Sequence, residues 1–229
     1  MKAFIDANTA IGRPALVPEV GLHLATEITP IWQASEAWLR AGDIEPPFWA
    51  FAWPGSQSLA RHVLDHPATV AGLRVLDFAA GGGLAAIACA QAGAALVEAA
   101  EIDRLAVAAI ELNAALNAVS VTAMLGDVVG AACRWDVILC GDVCYEAPMT
   151  GHILPWLRRM ARDATVLVAD PGRAYAPRDD VAIIARHMVP TTMELEDHTE
   201  RLVTLLRLLP GEHPVVDEAG QAVGLEVGP

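Results

Sequence analysis

The sequence predicts an α/β domain built on a parallel sheet that finishes in an antiparallel hairpin. Three observations carry this. From Leu73 onward, apolar runs of strand length alternate with helical runs. A Gly81-Gly82-Gly83 turn joins the first strand of that series to its first helix, and successive strands end on a carboxylate. Strands buried on both faces of a parallel sheet read as nearly unbroken apolar runs, as these do. At 229 residues the chain suits one such domain with an N-terminal extension.

Taken in order, Met1 to Pro47 carries scattered apolar residues and several prolines. It holds one helical segment, in which Ile31, Ala34, Ser35, Trp38 and Leu39 keep helical spacing and Gly42 supplies a stop. Pro46-Pro47 breaks the chain. The next stretch, Phe48 to Gly55 (FWAFAWPG), packs four aromatics into six residues. Such a cluster serves either as a hydrophobic plug or as a platform for a flat ring or an alkyl-ammonium. Ser58 to Leu64 is the next helix, ending before Pro67. Val75 to Phe78 is the first strand, and the helix after the glycines runs from Leu84 to Ala92. Leu96 to Glu101 is the second strand, Leu105 to Asn117 a helix, Val121 to Leu125 the third strand and Asp136 to Gly141 the fourth. Ile153 to Arg162 reads as a helix with Pro155 in its first turn. Thr165 to Ala169 is the fifth strand, followed by Asp170-Pro171-Gly172. Asp179 to Met188 reads as a further helix, and Thr191 to Glu196 with Leu202 to Leu208 as a hairpin at the sheet edge. We divide the chain into an extension with an aromatic cover for the site (1–55), the main domain (56–210) and a tail (211–229).

The totals exclude several classes. A formal charge of −13 disfavours nucleic acid, which wants a basic face. The longest apolar run, Leu84 to Val97, contains Gln91 and Gly93 and is shorter than the ~20 residues needed to span a bilayer. No basic N-terminus leads into an apolar signal core. The four cysteines (Cys89, Cys133, Cys140 and Cys144) form no CxxC pair and lie in apolar segments. They read as reduced residues of a cytoplasmic protein, with no metal site.

The chemistry lies at the strand ends. Asp77, Glu101, Asp127 and Asp142 close four successive strands, and in an open parallel sheet the carboxyl ends line one crevice where ligands bind. A single acid there could be a turn or cap residue; four beside a glycine loop point to a ligand. Glu101 follows Asp77 at about the spacing where an acid meets ribose hydroxyls. The loop suits pyrophosphate less well, because it is displaced from the strand and Asp77 would repel phosphate. A ligand carrying an amino group or a sulfonium suits that acid better, and S-adenosylmethionine has both together with an adenosine.

Asp77-Phe78-Ala79-Ala80-Gly81-Gly82-Gly83 resembles motif I of the class I, seven-stranded, Rossmann-like methyltransferases, whose last strand is antiparallel. The first glycine of that motif is Ala79 here. Asp142-Val143-Cys144-Tyr145 resembles the D-x-x-Y motif of a group of protein-lysine methyltransferases. FWAFAWPG at 48–55, GDVCY at 141–145 and DPGR at 170–173 together resemble the electron transfer flavoprotein β-subunit lysine methyltransferase family, from about Val17 to the last strand. The resemblance implies that Trp53 packs on S-adenosylmethionine, that Ala79, Gly81, Gly83 and Gly141 line it, and that Asp77 lies near its amino group. Glu101 would hold the ribose and Asp127 the adenine amino group. Asp142 and Tyr145 would hold the substrate lysine in a catalytic role, and Trp49 and Arg173 would face the protein substrate. The same residues have plain structural uses: Trp53 as core filler, Asp127 as a cap, Arg173 as a surface ion pair. The implied partner is a protein, with neither nucleic acid nor membrane, and the chain is expected to act as a monomer. Three alternatives stay open at this point. One is a class I methyltransferase acting on a ribosomal protein or a small molecule. The others are a nicotinamide-dependent oxidoreductase sharing the sheet and Glu101, and a non-catalytic adenosyl-binding module.

Overall fold

The computed structural model describes residues 1–27, 29–31, 46–192 and 196–210. The chain opens with α1 (Lys2–Asn8) and a small antiparallel pair, β1 (Ala10–Gly12) with β2 (Leu22–Leu24). The helix expected through Ala34 and Leu39, and the tail at 211–229, lie outside the described residues. A single 3-10 turn at Phe48–Ala50 leads into α2 (Pro54–Asp65), which starts earlier than expected because Pro54 is suited to a first helical turn. Then come β3 (Arg74–Phe78), α3 (Leu84–Gln91), β4 (Leu96–Glu101), α4 (Arg104–Leu116), β5 (Thr122–Leu125) and β6 (Val137–Gly141). The chain closes with α5 (Ala147–Met160), β7 (Thr165–Asp170), β8 (Val181–Pro190) and β9 (Glu200–Leu208).

Seven strands form one sheet in the order β5-β4-β3-β6-β7-β9-β8. All its pairs are parallel except those of β9, which runs antiparallel to both β7 and β8. From β3 the chain builds outward through β4 to β5, then crosses to the other side for β6 and β7. The reversal between β3 and β6 opens the crevice where doubly wound sheets bind ligands. Period-two alternation divides the core between the two faces. Val75, Val137, Leu139 and Leu167 pack under α2 and α3, while Leu76, Phe78, Ile138 and Val168 pack against α5. The extension joins these clusters: Val17, Val20 and Leu22 meet α2 and α3, and Ile5 and Trp49 meet α4.

Two elements depart from expectation. Asp179 to Met188, read as a helix, is strand β8, paired with β9 from Val181 to Pro190. A register shift between Ile183 and Ala185 resets the alternation. Val181, Ile184, Ala185 and Met188 thereby fall at helical spacing although the backbone is extended. The hairpin's first strand is therefore β8; Thr191 and Thr192 follow it, and 193–195 lie outside the described residues. The second departure is α5, which begins at Ala147 with Pro148 in its first turn and carries Pro155 in its interior. An interior proline costs about 3 kcal/mol. The buried stripe Ile153, Trp156, Leu157 and Met160 offsets this, with Trp156 edge-on to Trp135 and donating Nε1–H to the Ala131 carbonyl.

The site depends on how closely α2 approaches the end of β6. A Cβ on Gly55 would lie 2.5 Å from Asp142 Oδ2 and 2.7 Å from the Ala169 carbonyl oxygen. A Cβ on Gly141 would lie 2.8 Å from the Ser56 nitrogen. Neither position tolerates a side chain unless the backbone moves. Gly55→Ala and Gly141→Ala are each expected to lower stability by roughly 1–3 kcal/mol, read as a drop in thermal midpoint. Gly151→Ala in α5, where an added Cβ meets nothing within 4 Å, should be neutral or gain up to ~1 kcal/mol.

Candidate active site

The loop after β3 owes its shape to three left-handed residues: Ala79 (φ 52°), Gly81 (φ 54°) and Gly83 (φ 80°). Glycine takes this conformation without steric cost, whereas Ala79 pays for its Cβ. The glycine usual in this motif therefore has a backbone reason, and the chain carries strain where it departs. Asn113, fully buried on α4, holds the loop from behind. Its Nδ2 donates to the Gly82 carbonyl (2.8 Å), and its Oδ1 accepts from the His23 amide (2.8 Å). The Trp49 carbonyl presses so close that a Cβ on Gly82 would meet its oxygen at 2.8 Å. The Trp49 ring is 1% exposed in the core cluster against α4. The structure thus places it under the glycine loop, away from the surface expected to meet a protein substrate.

Alternation puts Asp77 on the same face as Val75, towards α3. Its carboxyl lies beneath the loop, 3% exposed, with Oδ2 accepting from the Ala86 amide (2.9 Å). Burial pushes its pKa up to about 7, with the Glu101 charge adding and the Ala86 N–H opposing. Glu101 stands at the tip of β4. Its two oxygens accept from the amides of Gly81 (2.7 Å) and Ile102 (3.0 Å), and burial raises its pKa against those amides. Asp127 caps its own turn through the Val129 amide (2.8 Å) and meets His152 Nε2 at 2.7 Å. Burial works to raise its pKa, but these partners outweigh it and the net direction is down.

Asp142 follows β6 with φ 57° and donates its amide to the Ala169 carbonyl (3.1 Å). Its Oδ2 accepts from the Ser56 amide (3.2 Å) at the N-terminus of α2, where unpaired N–H groups and the helix dipole favour an anion. Its Oδ1 is buried without a hydrogen-bond partner among the described residues. Burial pushes its pKa up to about 7, against the pull of Arg173 and the Ser56 and Gly55 amides. Tyr145 is 47% exposed, its ring centroid 6.4 Å from Phe48. Phe48 lies 6.0 Å from the half-buried Trp53, which stands 5.9 Å from Phe51 and donates Nε1–H to the Phe48 carbonyl. Phe48 from the aromatic stretch and Tyr145 from the loop after β6 thus form a pair of exposed rings near the acid row. Arg173 sits behind β7, its amide on Asp170 Oδ1 (2.6 Å) and its guanidinium on Glu196 (2.8 Å).

The strand tips therefore bring Asp127, Glu101, Asp77 and Asp142 to one edge, as the sequence predicts, and add Asp170 from β7. Asp170 was readable as a fifth strand-end acid; Glu196, His152 and the Ser56 amide had no local signal. The donor set fits S-adenosylmethionine. Glu101 offers a part-buried carboxylate to hydroxyls, Ala79, Gly81 and Gly83 leave the loop's main chain almost bare, and acids outnumber bases along the crevice. Asp127 fits only if the adenine amine shares or displaces His152. Among the described residues, no group of three or more His, Cys, Asp or Glu is placed to hold a metal.

Comparison with known proteins shows the family. The chain is 38% identical over 208 residues to the Xenopus laevis electron transfer flavoprotein β-subunit lysine methyltransferase, covering 87% of this chain and 80% of that protein. The Mus musculus enzyme of the same name is 36% identical over 210 residues, covering 86% and 80%. This chain belongs to the electron transfer flavoprotein β-subunit lysine methyltransferase family. It is an S-adenosylmethionine-dependent methyltransferase, and the oxidoreductase and non-catalytic alternatives fall away. The ribosomal protein L11 methyltransferase (PrmA) family matches residues 59–143, from α2 to just past Asp142. The fold is shared with the Synechocystis magnesium protoporphyrin IX methyltransferase bound to S-adenosylmethionine (TM-score 0.51, 23% identity, 67% of this chain and 79% of that one). It is also shared with the Pyrococcus abyssi tRNA (uracil-54, C5)-methyltransferase bound to S-adenosyl-L-homocysteine (TM-score 0.51, 15% identity, 67% and 38%).

Two stability measurements check this geometry in the family member. Ala79→Gly should relieve the left-handed strain and raise stability by up to ~1 kcal/mol. Asp77 holds a proton in the folded protein up to about pH 7, whereas its ordinary value is 3.8. Between these values the unfolded chain has released the proton that the folded one retains, so stability falls as pH rises and the cost is complete above 7. Asp77→Asn keeps an acceptor for the Ala86 amide and removes this cost. Its gain in melting temperature should therefore be small at pH 4 and largest above pH 7.

Proposed function

We propose that this chain transfers a methyl group from S-adenosylmethionine to a lysine ε-amine on the β-subunit of electron transfer flavoprotein. One observation carries the lysine assignment: Asp142 Oδ1 is buried with no hydrogen-bond donor among the described residues, the Arg173 guanidinium standing 3.7 Å off, and the exposed Tyr145 follows three residues later with Phe48 against its ring. A buried acceptor without a donor calls for a ligand that brings one, and an amine brings N–H groups. The target protein follows the names of relatives 33–38% identical over most of the chain. The L11 methyltransferase match stops short of Arg173 and of the β8–β9 hairpin, so it bears on the cofactor half and leaves the substrate face aside.

Bound S-adenosylmethionine supplies an electrophilic methyl group on a sulfonium. Glu101 would hold its ribose and Asp127 its adenine amine, with the Gly81–Gly83 loop and Trp53 alongside. Asp77 would anchor the first turn of α3, behind the loop, through the Ala86 amide. An unperturbed lysine has a pKa of about 10.4, so only roughly one in a thousand is neutral at pH 7. Phe48, Trp53 and Tyr145 would strip water from the amine and shift it towards the neutral form. Asp142, ionised above about pH 7, would accept an amine N–H and turn the nitrogen lone pair to the methyl group, so that most of the rate comes from positioning. Arg173 would face the protein substrate from the loop behind β7. We take the enzyme to act as a monomer on a protein partner. The unpaired state of all four cysteines supports a cytoplasmic setting, and the net charge of −13 supports a partner other than nucleic acid. No helix among the described residues is long and apolar enough to cross a membrane.

Asp142→Asn should cut methylation of the flavoprotein subunit by about 100-fold or more and abolish an inflection in kcat/KM near pH 7. S-adenosyl-L-homocysteine binding by calorimetry should survive it. Glu101→Gln should do the reverse, weakening that binding by about tenfold or more. Loss of binding in the Asp142 variant would assign that acid to the cofactor instead.

A further inference from the structure

Arg173 has two carboxylates within reach and donates to one of them. Its Nη2 lies 2.8 Å from Glu196 Oε1 and 3.7 Å from Asp142 Oδ1. The shorter contact is a charge-assisted hydrogen bond, and the longer one is outside hydrogen-bond range. Asp142 Oδ1 therefore stays buried without a hydrogen bond although a guanidinium is ion-paired with it at 3.7 Å. A small swing of that guanidinium would satisfy the oxygen. Glu196 opposes the swing. Its side chain is 3% exposed and is gripped by Arg201, with Nε 3.2 Å from Oε2 and Nη2 donating to the Glu196 carbonyl at 2.9 Å. The Arg173 main chain is tied down separately by Asp170, so the free movement belongs to the end of its side chain.

We propose that Glu196 is a positioning residue: by taking the Arg173 hydrogen bond and holding the guanidinium at 3.7 Å from Asp142, it leaves Asp142 Oδ1 without a donor until the lysine amine arrives. The inference rests on the lysine-transfer reading above. Were Arg173 to close on Asp142, a resident cation would occupy the acceptor that the substrate must use, and the amine would bind only by displacing it. The groups facing Asp142 are the Gly55 and Ser56 amides from α2, Asp170 from β7, Arg173 from the loop behind it, and Cys144 from its own loop. Arg173 is the cation among them, so its approach lowers the pKa of Asp142 and its restraint leaves burial dominant.

Glu196→Gln keeps the size of the side chain and removes the charge that competes for Arg173. The Asp142 carboxyl, followed by carbon NMR on the protein alone, should then titrate below the value near 7 expected in the wild type. KM for the flavoprotein subunit should rise about tenfold, while S-adenosyl-L-homocysteine affinity holds. In an Arg173→Gln background the Glu196 change should add nothing to KM, because the guanidinium it restrains is gone. A purely structural Glu196 would lower the melting temperature in both backgrounds and leave the Asp142 titration where it was. The proposal is overturned by an unmoved titration, or by a Glu196→Gln cost that is equal with and without Arg173. The titration needs no substrate, so it reads the latch separately; a wild-type enzyme inert towards the flavoprotein subunit would overturn the lysine-transfer reading instead.

Discussion

The seating of one carboxylate on one helix end organises this molecule. Asp142 leaves β6 in a left-handed turn and lays Oδ2 on the first free amides of α2. That contact requires two bare positions, Gly55 on the helix and Gly141 on the strand, because either Cβ would collide with the opposing backbone or with the carboxylate itself. The WPG and GD pairs are thus two halves of one joint. The joint takes half of the carboxylate and leaves the other oxygen without a hydrogen bond, the Arg173 guanidinium 3.7 Å away.

The aromatic segment gains its place from the same joint. Trp53 is the residue before α2, so fixing the helix start fixes its ring, and the hydrogen bond from Trp53 to the Phe48 carbonyl folds the preceding residues back over the crevice. Trp49 points the other way, into the core, and its carbonyl sets the clearance above Gly82. A six-residue stretch therefore supplies both the wall of the site and the backing of the glycine loop. The acids on the other side have unlike surroundings: Asp77 and Asp142 are buried and pushed up to about 7, while Asp127 is pulled down by His152 and an amide. Along one sheet edge, burial and partner count thus give groups of the same chemistry opposite pKa shifts.

Much of this was legible in the chain. Buried parallel strands announce themselves as apolar runs, and an acid at the end of each run necessarily arrives at the same edge, so the chain alone gathers Asp77, Glu101, Asp127 and Asp142. The glycine turn was equally plain, because left-handed backbone favours glycine. What misled was local. The irregularity at Ile184 gave β8 a helical apolar period, and Pro155 looked like a helix start although Pro148 held that position. In both cases tertiary packing, β9 needing a partner and Trp156 filling a core, overrode a short-range signal.

By itself the sequence determined the strand–helix alternation, the identity of the acids at the strand tips and the family to which the motifs belong, because these depend on periodicity and on residues close together in the chain. Only the tertiary structure decided which oxygen of Asp142 lacks a hydrogen bond, that Trp49 backs the loop instead of facing a partner, and that Glu196 holds Arg173. Those are contacts between residues 23 to 86 positions apart, and no local propensity encodes an approach made by folding the whole sheet.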